Sequence, residues 1–146
     1  MTDRADQAAA YFEQGFYCSQ AVFAAHAPEL GLDLDIALKI ASAFGAGIAR
    51  TGETCGAVTG ALMVIGLKYG RTTAEDTTAK TRTDQLAGQF LAEFQSRHGA
   101  LDCRELLGHD IRTPAGLEQA RAEGLFTTLC PKLVREAAEI LEHLLE

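Results

Sequence analysis

CGAVTGALMVIGLKYG, residues 55–70, is the stretch on which the fold turns. Only Thr59, Lys68 and Tyr69 in it carry a side-chain oxygen or nitrogen. The run is longer than a buried strand, so it reads as a helix. Gly56 and Gly60, and Ala57 and Ala61, recur one turn apart and so form small-residue faces. A helix that is apolar all round is buried, and small faces let neighbouring helices close in. The expectation is an all-α, compact bundle built around this central helix.

Just upstream, Gly45, Gly47, Gly52 and Gly56 make FGAGIARTGETCG (44–56) the loosest segment, with close backbone approach or left-handed dihedrals at four points. It lacks the GxGxxG spacing and follows a helix instead of a strand, so it is not read as a phosphate loop. Before it, Thr2 or Asp3 caps a helix to about Gln14, and a second runs from Cys18 to Ala27, ending ahead of Pro28. Asp33 or Asp35 caps a third, 36–44, with Ile36, Leu38, Ile40, Ala41 and Phe44 expected inside. Downstream, Thr73 or Thr77 opens a long helix to about Arg97 that turns Leu86, Phe90, Leu91 and Phe94 inward. Asp102-Cys103-Arg104-Glu105 has capping-box spacing for a short helix to Leu107. Thr113-Pro114 begins another, to about Glu123, and Pro131 begins the last, 132–145. No convincing strand is found. The whole chain, 1–146, reads as one domain of about six to eight helices.

At 146 residues and 15.6 kDa the chain can bury a core without staples. Its net charge of −7 and pI near 5.1 argue against nucleic acid and against an anionic membrane surface. Met1 to Gln7 is polar and acidic with no apolar region behind it, so a cytoplasmic address is expected. The most apolar run, Ala57–Leu67, has about 11 residues, against the about 20 that a membrane span needs. In a reducing compartment, widely spaced cysteines suit metal binding or redox chemistry better than permanent disulfides.

There are four: Cys18, Cys55, Cys103 and Cys130, separated by 37, 48 and 27 residues and without a CxxC pair. Each falls where a helix is expected to begin, and there free N–H groups and the positive dipole end favour thiolate. Cys55 has the best local setting, with Thr54 as cap and glycines on both sides; Gly52 and Gly56 would let backbone amides approach a cofactor. Cys103 follows its expected cap, Asp102, whose charge works against thiolate. Cys130 precedes Pro131 and reads as a cap itself, with Lys132 nearby. Cys18, between Phe16, Tyr17 and Ala21, is the one most easily explained as core. Singly, each is as well explained as a small buried hydrophobe. Four at helix starts are expected to form one site.

These segments together resemble the C_GCAxxG_C_C family of redox-active proteins. The resemblance rests on Gly15-Phe16-Tyr17-Cys18-Ser19-Gln20-Ala21-Val22, Phe44-Gly45-Ala46-Gly47, Thr54-Cys55-Gly56-Ala57-Val58-Thr59-Gly60-Ala61, Gly66-Leu67-Lys68-Tyr69-Gly70, Cys103-Arg104-Glu105-Leu106-Leu107 and Cys130-Pro131. Thr54 stands where the family name has glycine. The resemblance implies a small helical protein with a redox role, and membership of Cys18 in the site rests mainly on it. A related cysteine domain accompanies a haem protein that carries an iron–sulfur cluster, which implies a cluster here by analogy only.

Three functions follow as expectations. In the first, Cys18, Cys55, Cys103 and Cys130 hold an iron–sulfur cluster or another thiolate-bound metal, and the protein exchanges electrons with a redox partner protein. In the second, Cys55 attacks a disulfide or oxidant and Cys103 or Cys130 resolves it, as in an oxidoreductase. In the third, the chain is a helical interaction module that forms a homodimer through the small-residue face around Gly60. His98 and His109 flank Cys103 as weaker members of a mixed ligand set, while His26 and His143 read as singletons.

Overall fold

Short polar caps set where the helices begin. The Asp3 carboxylate accepts from the Asp6 N–H at 2.7 Å and opens α1 (Arg4–Glu13). In the same way Asp33 opens α3 (Leu34–Ala41), Asp76 opens α5 (Thr77–His98) and Thr113 opens α7 (Pro114–Ala122). The other helices are α2 (Cys18–His26), α4 (Gly56–Tyr69), α6 (Cys103–Leu107) and α8 (Leu125–Leu144). The computed structural model describes residues 3–145, so the alternative cap Thr2 lies outside them. Among the described residues there are eight α-helices, two short 3₁₀ turns and no strand, as the all-α expectation requires.

The central helix is where the sequence put it. α4 buries Gly56, Ala57, Val58, Gly60, Ala61, Val64 and Ile65, and packs on α2, α5 and α8. Its closest neighbour is α2: a Cβ on Gly60 would lie 2.7 Å from the Ser19 carbonyl oxygen, and one on Gly56 2.8 Å from the Ser19 amide. The small-residue face is therefore filled within the chain. Ser19, fully buried, donates its hydroxyl to the Ala41 carbonyl at 2.9 Å and pins α3 to the same pair. Phe90 and Phe94 of α5 close the core, together with Leu133, Ile140 and Leu141 of α8. A second, smaller cluster of Leu107, Ile111, Ala120 and Cys130 lies under α6 and α7.

Several expectations fail. Cys55, not Thr54, holds the cap position of α4, and Asp76 rather than Thr73 or Thr77 caps α5. Pro131 does not begin the last helix; it sits inside α8, which starts at Leu125 after Gly124 takes a left-handed φ of 71° and breaks the chain between α7 and α8. Proline is tolerated there at the loss of the bond its N–H would give the Thr127 carbonyl. Ile36 and Ile40 are each 48% exposed, because α3 meets α2 through its small residues Ala37 and Ala41. Asp102 precedes α6, but its side chain makes no capping bond.

Candidate functional site

Where the two clusters meet there is a cavity of about 390 Å³, and Cys18, Cys55, Cys103 and Cys130 all line it. Four parts of the chain bring them there. Cys18 is the first residue of α2, and Cys55 immediately precedes α4. The crossing at Gly56 and Gly60 sets one against the other. Cys55 and Cys103 are registered by a single antiparallel bridge, Thr54 with Asp102. The Cys103 N–H donates to the Glu53 carbonyl at 2.6 Å and the Cys55 N–H to the Leu101 carbonyl at 2.8 Å. Side chains alternate along extended backbone, so both neighbours of the bridged pair turn to one side. Cys130 arrives from the second turn of α8.

The loose segment forms another part of the wall. Ala46, Gly47, Ile48, Ala49 and Arg50 all have positive φ, from 52° to 75°. For L-residues this hand costs about 1–2 kcal/mol each. The turn is held by long backbone bonds, Ala49 N–H to Ala43 carbonyl and Glu53 N–H to Gly47 carbonyl, both 2.8 Å. Thr51 Oγ1 also donates to the Gly47 and Ile48 carbonyls. Ala46, Gly47 and Arg50 thereby face the cavity. Gly52 does not line it; its carbonyl accepts from the Arg104 N–H at 3.0 Å, which together with the Cys103–Glu53 bond uses the first two amides of α6.

Cys18, Cys55 and Cys103 do stand at helix starts and Cys130 does not, but burial and neighbouring thiols outweigh the helix ends. The Cys103 thiol is pushed up to about 12, first by burial and then by its neighbours Cys55, Cys130 and Asp102. Cys55 rises to about 11: burial outweighs the amides of Ala57 and Val58, which pull the other way. Cys18 is raised well above an ordinary thiol, chiefly by its hydrogen bond to Cys130 and then by burial. Cys130 alone is lowered, because the Cys18 S–H stabilises its thiolate against the cost of burial. The Cys18–Cys130 pair thus shares one proton more readily than Cys55 and Cys103 give theirs up.

No histidine joins them. His98 lies against the Phe94 ring with centroids 4.6 Å apart, and His109 Nε2 is 2.8 Å from Glu123. Among the described residues no carboxylate lines the cavity either, so apart from the Tyr17 phenol its donor side chains are thiols, which suit soft metals. Among the described residues no three ligating groups close on a point that would hold a single metal ion. All four cysteines are free. The sulfurs therefore do not fit a mononuclear tetrahedral site as they stand; they fit the wall of a space much larger than one ion. Two lining residues that the sequence reading missed are Arg50 and Arg121. Arg50 lies in the glycine-rich segment already singled out, whereas nothing local marks Arg121.

No helix among the described residues is long and apolar enough to cross a membrane. No curated protein matches the chain, and no solved structure does. A family model does match, over residues 16–144, with the description "Putative redox-active protein (C_GCAxxG_C_C)". That span holds all four cysteines and all of the cavity lining except Phe12 and Gly15, and the chain belongs to the C_GCAxxG_C_C family.

Proposed function

We propose that the protein is an electron-transfer protein whose four thiols hold a polynuclear thiolate-bound metal centre, an iron–sulfur cluster being the group with the matching ligand count. The observation that carries this is the convergence of Cys18, Cys55, Cys103 and Cys130, from distant parts of the chain, on one cavity of about 390 Å³ that no histidine or carboxylate lines among the described residues. Burial supports the same assignment. Cys55 and Cys103, pushed up to about 11 and 12, are poor nucleophiles at neutral pH, but a metal replaces the proton of a buried thiol. A bound cluster supplies one-electron chemistry. The chain supplies the four sulfurs, apolar walls from Phe16, Leu106, Ile111 and Phe126 that exclude water, and the cationic Arg50 and Arg121 opposite the thiolate charge. Its counterpart in this role is another redox protein.

The deciding measurement is metal and acid-labile sulfide content, with a visible spectrum, on protein prepared anaerobically. Bound iron and sulfide with charge-transfer absorption support the proposal; colourless, metal-free protein that takes up neither on reconstitution contradicts it.

The Cys18–Cys130 hydrogen bond favours a second reading, a dithiol that is oxidised to a disulfide. Cys18 and Cys130 are then the reacting pair: the two thiols lose two protons and two electrons to a disulfide oxidant, which leaves as two thiols. Mass mapping after mild oxidation finds a Cys18–Cys130 link if this is right, and none, or a different pair, if it is wrong.

A further inference from the structure

Among the residues lining the cavity only Arg50 and Arg121 carry a fixed charge, and both are positive, in a chain of net charge −7. Most other guanidiniums face carboxylates: Arg4 meets Glu29, Arg97 Glu93, Arg104 Glu53, Arg112 Asp110 and Arg135 Asp6. Among the described residues the Arg50 side chain meets only the Tyr17 hydroxyl, at 3.5 Å, and Arg121 makes no side-chain bond or ion pair. Both are exposed residues, so their place is the mouth. Arg50 is set there by the left-handed run Ala46–Arg50, and Arg121 by the last turn of α7. Beyond them the walls are apolar down to the thiols.

Two unengaged cations at the rim of an apolar pocket are the recognition chemistry of an amphipathic anion, since guanidinium pairs a carboxylate through two parallel hydrogen bonds. We propose that the cavity binds a small organic carboxylate, its acid group held by Arg50 and Arg121 and its apolar body directed along Phe16 and Phe126 toward the cysteines. This rests on the reading that the thiol cavity is the working site, and it names the class of small molecule that site admits.

The test uses reduced, metal-free protein and two reagents of equal size, iodoacetate and iodoacetamide. With either, a cysteine thiolate displaces iodide, a C–S bond forms and the thiol proton passes to solvent; only the carboxylate distinguishes them. Labelling of each cysteine is followed by mass spectrometry. Iodoacetate labelling is expected to saturate with reagent concentration and to be slowed by butyrate but not by butyramide. Arg50→Gln and Arg121→Gln should each lower the iodoacetate rate about threefold to tenfold relative to the iodoacetamide rate, whatever common loss both reagents show from weaker support of the thiolate. Arg71→Gln, away from the cavity, should change neither. Arg121 makes no side-chain bond among the described residues, so Arg121→Gln reports even if Arg50→Gln weakens folding. The proposal is overturned if iodoacetate labelling does not saturate, if butyrate has no effect, or if Arg121→Gln slows both reagents alike. No metal enters this experiment. A protein that binds no cluster can still show the carboxylate preference, and a cluster protein without that preference overturns only the anion site.

Discussion

Gly60 and Gly88 are both helical glycines, and their surroundings are opposite. A Cβ at Gly60 would meet the Ser19 carbonyl at 2.7 Å, where two backbones cross, whereas Gly88 has nothing within 4 Å. Gly60→Ala should therefore lower stability by about 1–3 kcal/mol, since the α2–α4 crossing must open. Gly88→Ala in exposed α5 should raise it by about 0.5–1 kcal/mol. Urea unfolding of the two variants checks both signs. The thiols set a pH dependence of their own. An acid whose folded pKa exceeds its unfolded value keeps its proton longer when folded. Stability from Cys55 and Cys103 is thus full below an ordinary thiol pKa of about 8.5, and it falls as pH rises toward about 11 and 12. Metal-free protein should show that decline between pH 8.5 and 10.5, with a shallower slope in Cys55→Ser and in Cys103→Ser. An unchanged slope in both would show that these thiols titrate as ordinary ones. At this scale the sequence misleads most at Cys130. Pro131 has the look of a helix start, and only Gly124, seven residues earlier, decides that the helix is already under way.

Among the elements, the run Ala46–Arg50 is the most strained and lies against the site. Ile48 is β-branched, with φ at 65°, and 38% exposed, so its side chain gives little back for the conformation it must hold. Ile48→Gly should stabilise the protein by about 1 kcal/mol in thermal unfolding, because relief of strain exceeds the added chain entropy. Gly47→Ala should do the reverse, since a Cβ there lies 2.6 Å from the Glu53 amide. A glycine-rich loop with left-handed points was legible from Gly45, Gly47 and Gly52. That Ala46, Ile48, Ala49 and Arg50 join them was not, because no propensity of those residues favours it. The Ala43–Ala49 and Gly47–Glu53 backbone bonds impose it. The helices were legible for the converse reason: α4, α5 and α7 each carry their apolar spacing or cap within their own residues. Burial on α3 was not, since Ile36 and Ile40 fit an inward face that α2 contacts through alanines instead.

For the whole molecule, four cysteines on one cavity are a property of assembly. The α2–α4 crossing, the Thr54–Asp102 bridge and the entry of α8 each place a thiol, and none is visible in the residues around that thiol. The sequence could show that the cysteines were few, unpaired locally and set in a recognisable family pattern; it could not show the space between them, or the two arginines at its rim. If that space holds a polynuclear centre, the sulfurs act as a set. Iron and acid-labile sulfide bound after anaerobic reconstitution, measured per chain for the parent protein and for Cys18→Ser, Cys55→Ser, Cys103→Ser and Cys130→Ser, tests this most directly. The account predicts iron and sulfide together in the parent and a marked loss of both in every variant. No uptake by the parent, or full uptake by all four variants, would contradict it.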